Sequence, residues 1–98
     1  MGKKESKVEK HLVGKIEELG GICYKFTSPG RNGVPDRVCV MPKGLVVFVE
    51  TKAPNGRLSP RQRDELSLLN SLDQIAHVAN TFKKVNALVE EMRRMLYG

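Results

Sequence analysis

Residues 36–52 read Asp36-Arg37-Val38-Cys39-Val40-Met41-Pro42-Lys43-Gly44-Leu45-Val46-Val47-Phe48-Val49-Glu50-Thr51-Lys52, and their order decides the fold. Two apolar runs, Asp36 to Met41 and Leu45 to Lys52, flank Pro42-Lys43-Gly44, a connection so short that they must form an antiparallel hairpin. With the turn near Lys43-Gly44, Asp36 falls opposite Glu50 or Thr51. Alternation puts Asp36, Val38 and Val40 on one face of their strand, and Val46, Phe48, Glu50 and Lys52 on one face of its neighbour. If the register aligns these faces, Asp36, Glu50 and Lys52 converge at one end of an otherwise apolar sheet. The second strand is apolar on both faces, as a central strand covered on two sides is.

Three ionisable groups at such a sheet end are expensive for stability alone. A hard-cation site gives them a purpose. Two carboxylates bind a Mg²⁺-type ion through oxygen while it keeps several waters, and an adjacent ammonium orients the attacking water and offsets phosphate charge. The alternative is a salt-bridged sheet end, Glu50 to Lys52 or Asp36 to Arg37. The triplet acid-any-Lys carries little by itself, because Glu5-Ser6-Lys7 repeats it with no strand around it. Its place at the end of an apolar strand, beside Pro35-Asp36, is what raises Glu50-Thr51-Lys52.

Towards the N-terminus, residues 5–19 form an amphipathic helix with Val8, Leu12, Ile16 and Leu19 on one stripe and Val13 on its flank; Gly20-Gly21 ends it. Glu9 projects inside the apolar arc. An acid there is costly unless paired or bound to a metal, and the alternative is a side chain at the stripe's edge reaching solvent. Residues 22–27 alternate Ile22, Tyr24, Phe26 against Cys23, Lys25, Thr27, the period of a half-buried strand. Residues 28–35 are dense in turn formers. Towards the C-terminus, residues 53–58 make a loop. Ser59-Pro60 then opens a helix, with Ser59 as N-cap and Leu66, Leu69 and Leu72/Leu68 as its apolar face. A strand over Ile75–Ala79 and a helix over Phe82–Leu96, with its stripe of Val85, Leu88, Val89 and Met92, complete the order α-β-β-β-α-β-α. The class is α+β, a small mixed sheet flanked by helices, in one domain over residues 1–98.

The 98 residues carry 17 Lys+Arg against 11 Asp+Glu, a net charge of +6 that suits a phosphate-rich partner. Five aromatic residues and no Trp give poor material for a base-stacking platform. Cys23 and Cys39 lack metal-ligand spacing and cannot build a disulfide framework. The longest apolar run, Leu45 to Val49, is too short to span a bilayer, and no apolar stretch follows the basic Met1–Lys7 segment, so no membrane and no secretory signal is expected. The expected setting is a reducing cytoplasm, in a bacterial or phage-infected host cell.

Gly33-Val34-Pro35-Asp36, Val47-Phe48-Val49-Glu50-Thr51-Lys52 and Gly56-Arg57-Leu58-Ser59-Pro60-Arg61-Gln62 together resemble the virus-type replication-repair nuclease (VRR-NUC) domain of the PD-(D/E)XK superfamily, in its small stand-alone form. The resemblance covers nearly the whole chain without insertions, and it implies a restriction-endonuclease-like fold. It also implies that Asp36 and Glu50 are metal-binding catalytic carboxylates, with the Thr51 carbonyl as a further ligand. Lys52 is then the catalytic lysine, and Glu9, the first-helix acid also found in archaeal Holliday-junction resolvases, holds the metal together with Asp36 and Glu50. Thr51 stands where many members have a bulkier apolar residue, but only its backbone is required there. Gln62 has two readings: a capping box with Ser59, or a side chain aimed at the site, where the family carries a Gln.

Arg57, Arg61 and Arg63 are candidates for contact with DNA phosphates, with Lys10, Lys15, Lys25 and Arg31 behind them. His11 and His77 have no partner at metal-site spacing. The implied activity is a Mg²⁺-dependent DNA endonuclease, with Mn²⁺ able to substitute and 5′-phosphate products. Branched DNA, four-way junctions above all, is the expected substrate. A homodimer, closed through Met41, Leu45, Val47 or the last helix, would match the junction's symmetry. The alternatives are a non-catalytic nucleic-acid-binding module and a nuclease acting on flaps or linear duplex.

Overall fold

A computed structural model describes residues 6–98; the expected helix start at Glu5 and the basic Met1–Lys4 lie outside them. Helix α1 (Lys7–Glu18) starts at a reciprocal cap, in which the Ser6 hydroxyl accepts from the Glu9 N–H and the Glu9 carboxylate accepts from the Ser6 N–H. Strands β1 (Ile22–Lys25), β2 (Arg37–Val40) and β3 (Val46–Thr51) follow, then α2 (Pro60–Ser71), β4 (Ile75–Ala79) and α3 (Phe82–Tyr97). The sheet order is β1-β2-β3-β4, with the first two pairings antiparallel and β3–β4 parallel across the α2 connection. This is the α+β order that the sequence predicts. A 3₁₀ turn, Pro42–Gly44, closes the β2–β3 hairpin with Lys43 and Gly44 at φ +62° and +76°. Glycine enters that region without steric cost, and Lys43 is held there by its ammonium on the Leu96 carbonyl and over the Tyr97 ring.

One face of the sheet, presenting Cys39, Val47, Val49 and Ala79, is buried against Leu12 and Ile16 of α1 and Val85, Val89 and Met92 of α3. The other face is covered by α2 beside β4 and is open over β1 and β2, where Ile22, Tyr24 and Val40 are 53%, 53% and 40% exposed.

That asymmetry decides one point the sequence leaves open and goes with two departures from its reading. The alternation in β1 is real, and its inner side is Cys23, which packs on the core, while Ile22 and Tyr24 face outward and are exposed. On α2, Leu66 is buried and Leu69 half-buried, whereas Leu68 and Leu72 are exposed and the buried neighbour is Glu65. Met41 and Val47 point into the core and are not available as a dimer surface, and Leu45 packs against the same core.

Candidate active site

The hairpin register pairs Arg37 with Val49, so Asp36 lies opposite Glu50. The two carboxylates hold each other's strand. Asp36 Oδ1 accepts from the Thr51 N–H at 2.7 Å and Oδ2 from the Thr51 hydroxyl at 2.5 Å, while Glu50 Oε1 accepts from the Asp36 N–H at 3.2 Å. The Thr51 hydroxyl is therefore a tether that sequence reasoning missed. Its signal was present, since a hydroxyl stands where an apolar side chain is usual.

Glu50 is only 4% exposed. Its second oxygen accepts from Gln62 Nε2 at 3.2 Å and lies 3.6 Å from Lys52 Nζ. Burial, and then the Asp36 carboxylate beside it, push the Glu50 carboxyl up to about 7, against the opposing pull of Lys52 and the Asp36 N–H. Gln62 satisfies both of its readings at once. Its carbonyl oxygen accepts from the Ser59 N–H at 2.9 Å to complete the α2 cap, and its amide nitrogen serves Glu50. Lys52 is fixed from behind by its N–H on the Ala79 carbonyl at 3.0 Å, and the loop after it by Asn80 on the Pro54 carbonyl at 3.2 Å.

Glu9 does not reach free solvent at the stripe's edge. One oxygen serves the Ser6 cap and the other meets Arg37 Nε and Nη2, each at 3.2 Å. Arg37 is 4% exposed and also donates to the Cys23 carbonyl at 3.4 Å. A buried cation next to Asp36 in sequence, but on the opposite strand face, needs an acid. The Glu9 anomaly on the inner stripe of α1 was the legible counterpart.

Glu9, Asp36, Glu50, Thr51, Lys52 and Gln62 all line one cleft of about 470 Å³, with Lys25, Phe26 and Thr27 on its rim. Among the described residues no three His, Cys, Asp or Glu side chains close on one point. The converging carboxylates are two, Asp36 and Glu50. An all-oxygen pair suits a hard cation that binds through one or two carboxylates and keeps its waters, and the raised Glu50 carboxyl marks a charge pair that a cation would relieve.

The basic candidates separate. Lys10, Lys25, Arg57, Arg61 and Arg63 are exposed, Lys25 at the cleft itself. Arg31 is engaged instead by buried Glu65, at 2.5 Å. That bridge ties the loop ahead of Asp36 to α2. Gly33 completes the docking at φ +83°, where a Cβ would lie 2.7 Å from the Arg61 carbonyl oxygen. Lys15 pairs with Glu18 on the surface. His11 bonds to Asn86 at 2.7 Å and stacks on Phe82, and His77 lines a different depression, so neither joins the cleft.

Pro35-Asp36 and Glu50-Thr51-Lys52, set at one end of a mixed sheet with helices on both faces, define a protein of the PD-(D/E)XK class. The model of the VRR-NUC domain matches residues 5–83. A phage protein named "Putative nuclease p44", from Acyrthosiphon pisum secondary endosymbiont phage 1, is 49% identical over 69 residues, 70% of this chain and 74% of its own. A solved VRR-NUC domain superposes with a TM-score of 0.82 at 33% identity, over 91% of this chain and 97% of that one. The chain belongs to the VRR-NUC family. Among the described residues no helix is long and apolar enough to cross a membrane.

Proposed function

We propose that the chain is a metal-dependent DNA endonuclease that hydrolyses phosphodiester bonds at this cleft. The observation that carries the reading is the Asp36–Glu50 pair, locked across the hairpin, with Lys52 within 3.6 Å of Glu50 at an open cleft. Membership of the VRR-NUC family and the name of the phage relative support it. Asp36, Glu50 and the Thr51 carbonyl would hold Mg²⁺ or Mn²⁺, and Glu9, which lines the same cleft, is the further acid available to it. The ion supplies Lewis acidity and an activated water when bound. Lys52, at the mouth of the cleft, would orient the attacking water and offset the charge that builds on the phosphate. Gln62 keeps Glu50 turned towards the cleft. Lys10, Lys25, Arg57, Arg61 and Arg63 contact backbone phosphates, which position the strand without reading its sequence.

Branched DNA is the substrate this scaffold suits. The basic side chains around the cleft meet backbone phosphates rather than bases, so selectivity rests on shape. A homodimer would set two clefts against the two strands of a four-way junction. The apolar surface for it comes from the open sheet face (Ile22, Tyr24, Val40) or from Met95 and Tyr97 of α3.

The test is a panel of end-labelled junction, flap, linear and single-stranded DNAs with Mg²⁺, Mn²⁺ or EDTA, run with the parent, Asp36→Ala and Lys52→Ala. Metal-dependent cutting of junctions that both substitutions abolish is the expected result. Intact DNA throughout, with binding retained, would make the chain a binding module. Cutting confined to flaps or linear duplex would keep the chemistry and remove the junction reading.

A further inference from the structure

Cys23 and Cys39 have no part in the chemistry above, yet the β1–β2 register sets them directly opposite each other. The kind of opposition matters. The Phe26 N–H donates to the Asp36 carbonyl at 2.8 Å, and Phe26 faces Asp36 in this register, so that pair is hydrogen-bonded. Pair types alternate along an antiparallel ladder, which makes Lys25–Arg37 non-hydrogen-bonded, Tyr24–Val38 hydrogen-bonded and Cys23–Cys39 non-hydrogen-bonded. Opposed Cα atoms approach to about 4.5 Å at such positions. That lies inside the roughly 4.4–6.8 Å range a disulfide spans, at its short end. The sulfurs already touch, with the Cys39 thiol donating to Cys23 Sγ at 3.9 Å.

We propose that Cys23 and Cys39 are a redox-switchable dithiol, which a small oxidised disulfide such as oxidised glutathione closes into a cross-strand bond between β1 and β2. Half-buried Cys23 reacts first, because Cys39 has no exposed path. Its thiolate attacks one sulfur of the small disulfide; that S–S bond breaks and one small thiolate leaves. Cys39 Sγ then attacks Cys23 Sγ in the mixed disulfide. The second small thiolate departs and takes up the Cys39 proton. Two protein thiols are oxidised by two electrons, and one small disulfide is reduced to two thiols.

The electrostatics agree with that order. The hydrogen bond from Cys39, with Arg37 nearby, lowers the Cys23 thiol against the effect of burial, whereas the same hydrogen bond and burial raise Cys39. A bond that small thiols form and reverse suits a switch rather than a permanent staple. It also reaches the cleft, since the Cys23 carbonyl anchors Arg37 and Arg37 holds Glu9.

The test uses the reduced full chain incubated with oxidised glutathione, quenched with acid and N-ethylmaleimide, and read by intact mass and peptide mapping. The parent should lose two hydrogens, take up no maleimide, keep no glutathione and yield a Cys23–Cys39 linked peptide that dithiothreitol releases. Cys39→Ser and Cys39→Ala should each keep one glutathione on Cys23, and Cys23→Ser should keep none while folded. Three results would overturn the proposal: glutathione retained on Cys23 of the parent, linkage between two chains only, or two free thiols in the parent. None of these readouts depends on DNA cleavage, so the dithiol and the nuclease reading stand or fall separately.

Discussion

Glu50→Gln separates the cost of the site from its use. In the folded chain, burial and Asp36 carry this carboxyl from its ordinary 4.5 up to about 7. Between those values the folded state binds more protons than the unfolded one, so metal-free stability falls as pH rises across the window and levels off above it. A shift of that size corresponds to at most about 3.5 kcal/mol, less where solvent enters through the open cleft. Gln is a neutral isostere of the protonated acid and has no such window. Urea unfolding in EDTA from about pH 4.5 to 8.5 should therefore show the parent losing stability with rising pH relative to Glu50→Gln, the gap opening through about pH 7 and then holding. For a domain of this size each kcal/mol moves the midpoint temperature by about 4–8 °C, well within calorimetric reach. Any pH-independent offset from altered hydrogen bonds to Lys52 and Gln62 cancels in the comparison. Parallel pH curves for the two proteins would refute the electrostatic account of the site.

The remaining predictions concern the groups around that carboxylate. Thr51→Val removes the hydroxyl from Asp36 Oδ2 and should cost about 1–2 kcal/mol by urea unfolding, with Thr51→Ser recovering most of it. Arg31→Ala leaves the buried Glu65 carboxylate without its ion-pair partner. It should destabilise by about 1–2 kcal/mol, discounted because Arg31 is itself half exposed, and Arg31→Ala with Glu65→Gln should return much of that loss in a double-mutant cycle. Arg57→Ala, Arg61→Ala and Arg63→Ala should each weaken DNA binding uniformly across sequences. Each should flatten the slope of log affinity against log salt by up to about 0.9, measured by fluorescence anisotropy. Gln62→Ala should lower cleavage and also fray the start of α2, whereas Gln62→Glu should restore the cap without restoring cleavage, a split read from helicity and turnover together.

Much of this molecule was legible in its chain because the informative signals are local. A three-residue connection forces the hairpin, and period-two alternation brings Asp36, Glu50 and Lys52 to one sheet end once Asp36 pairs with Glu50, as the observed register has it. Periodicity likewise marked the buried stripes of α1 and α3, and Ser59-Pro60 marked the start of α2. Alternation cannot say which face of an edge strand is covered. Packing sets that side for β1, where Cys23 rather than Ile22 and Tyr24 turns to the core, and it leaves Leu68 and Leu72 exposed on α2.

The sequence by itself determined the element order, the hairpin and the narrowing of the partner of Asp36 to Glu50 or Thr51. Each follows from chain geometry over a few residues. Only the tertiary structure decided what the other ionisable groups do. Glu9 and Arg37 are 28 residues apart, Arg31 and Glu65 are 34, and Gln62 reaches Glu50 across a loop. Those pairings depend on how helices land on the sheet, and burial then compels each charge to find its partner. The same packing turned Gln62 from a choice between cap and site into a residue that is both.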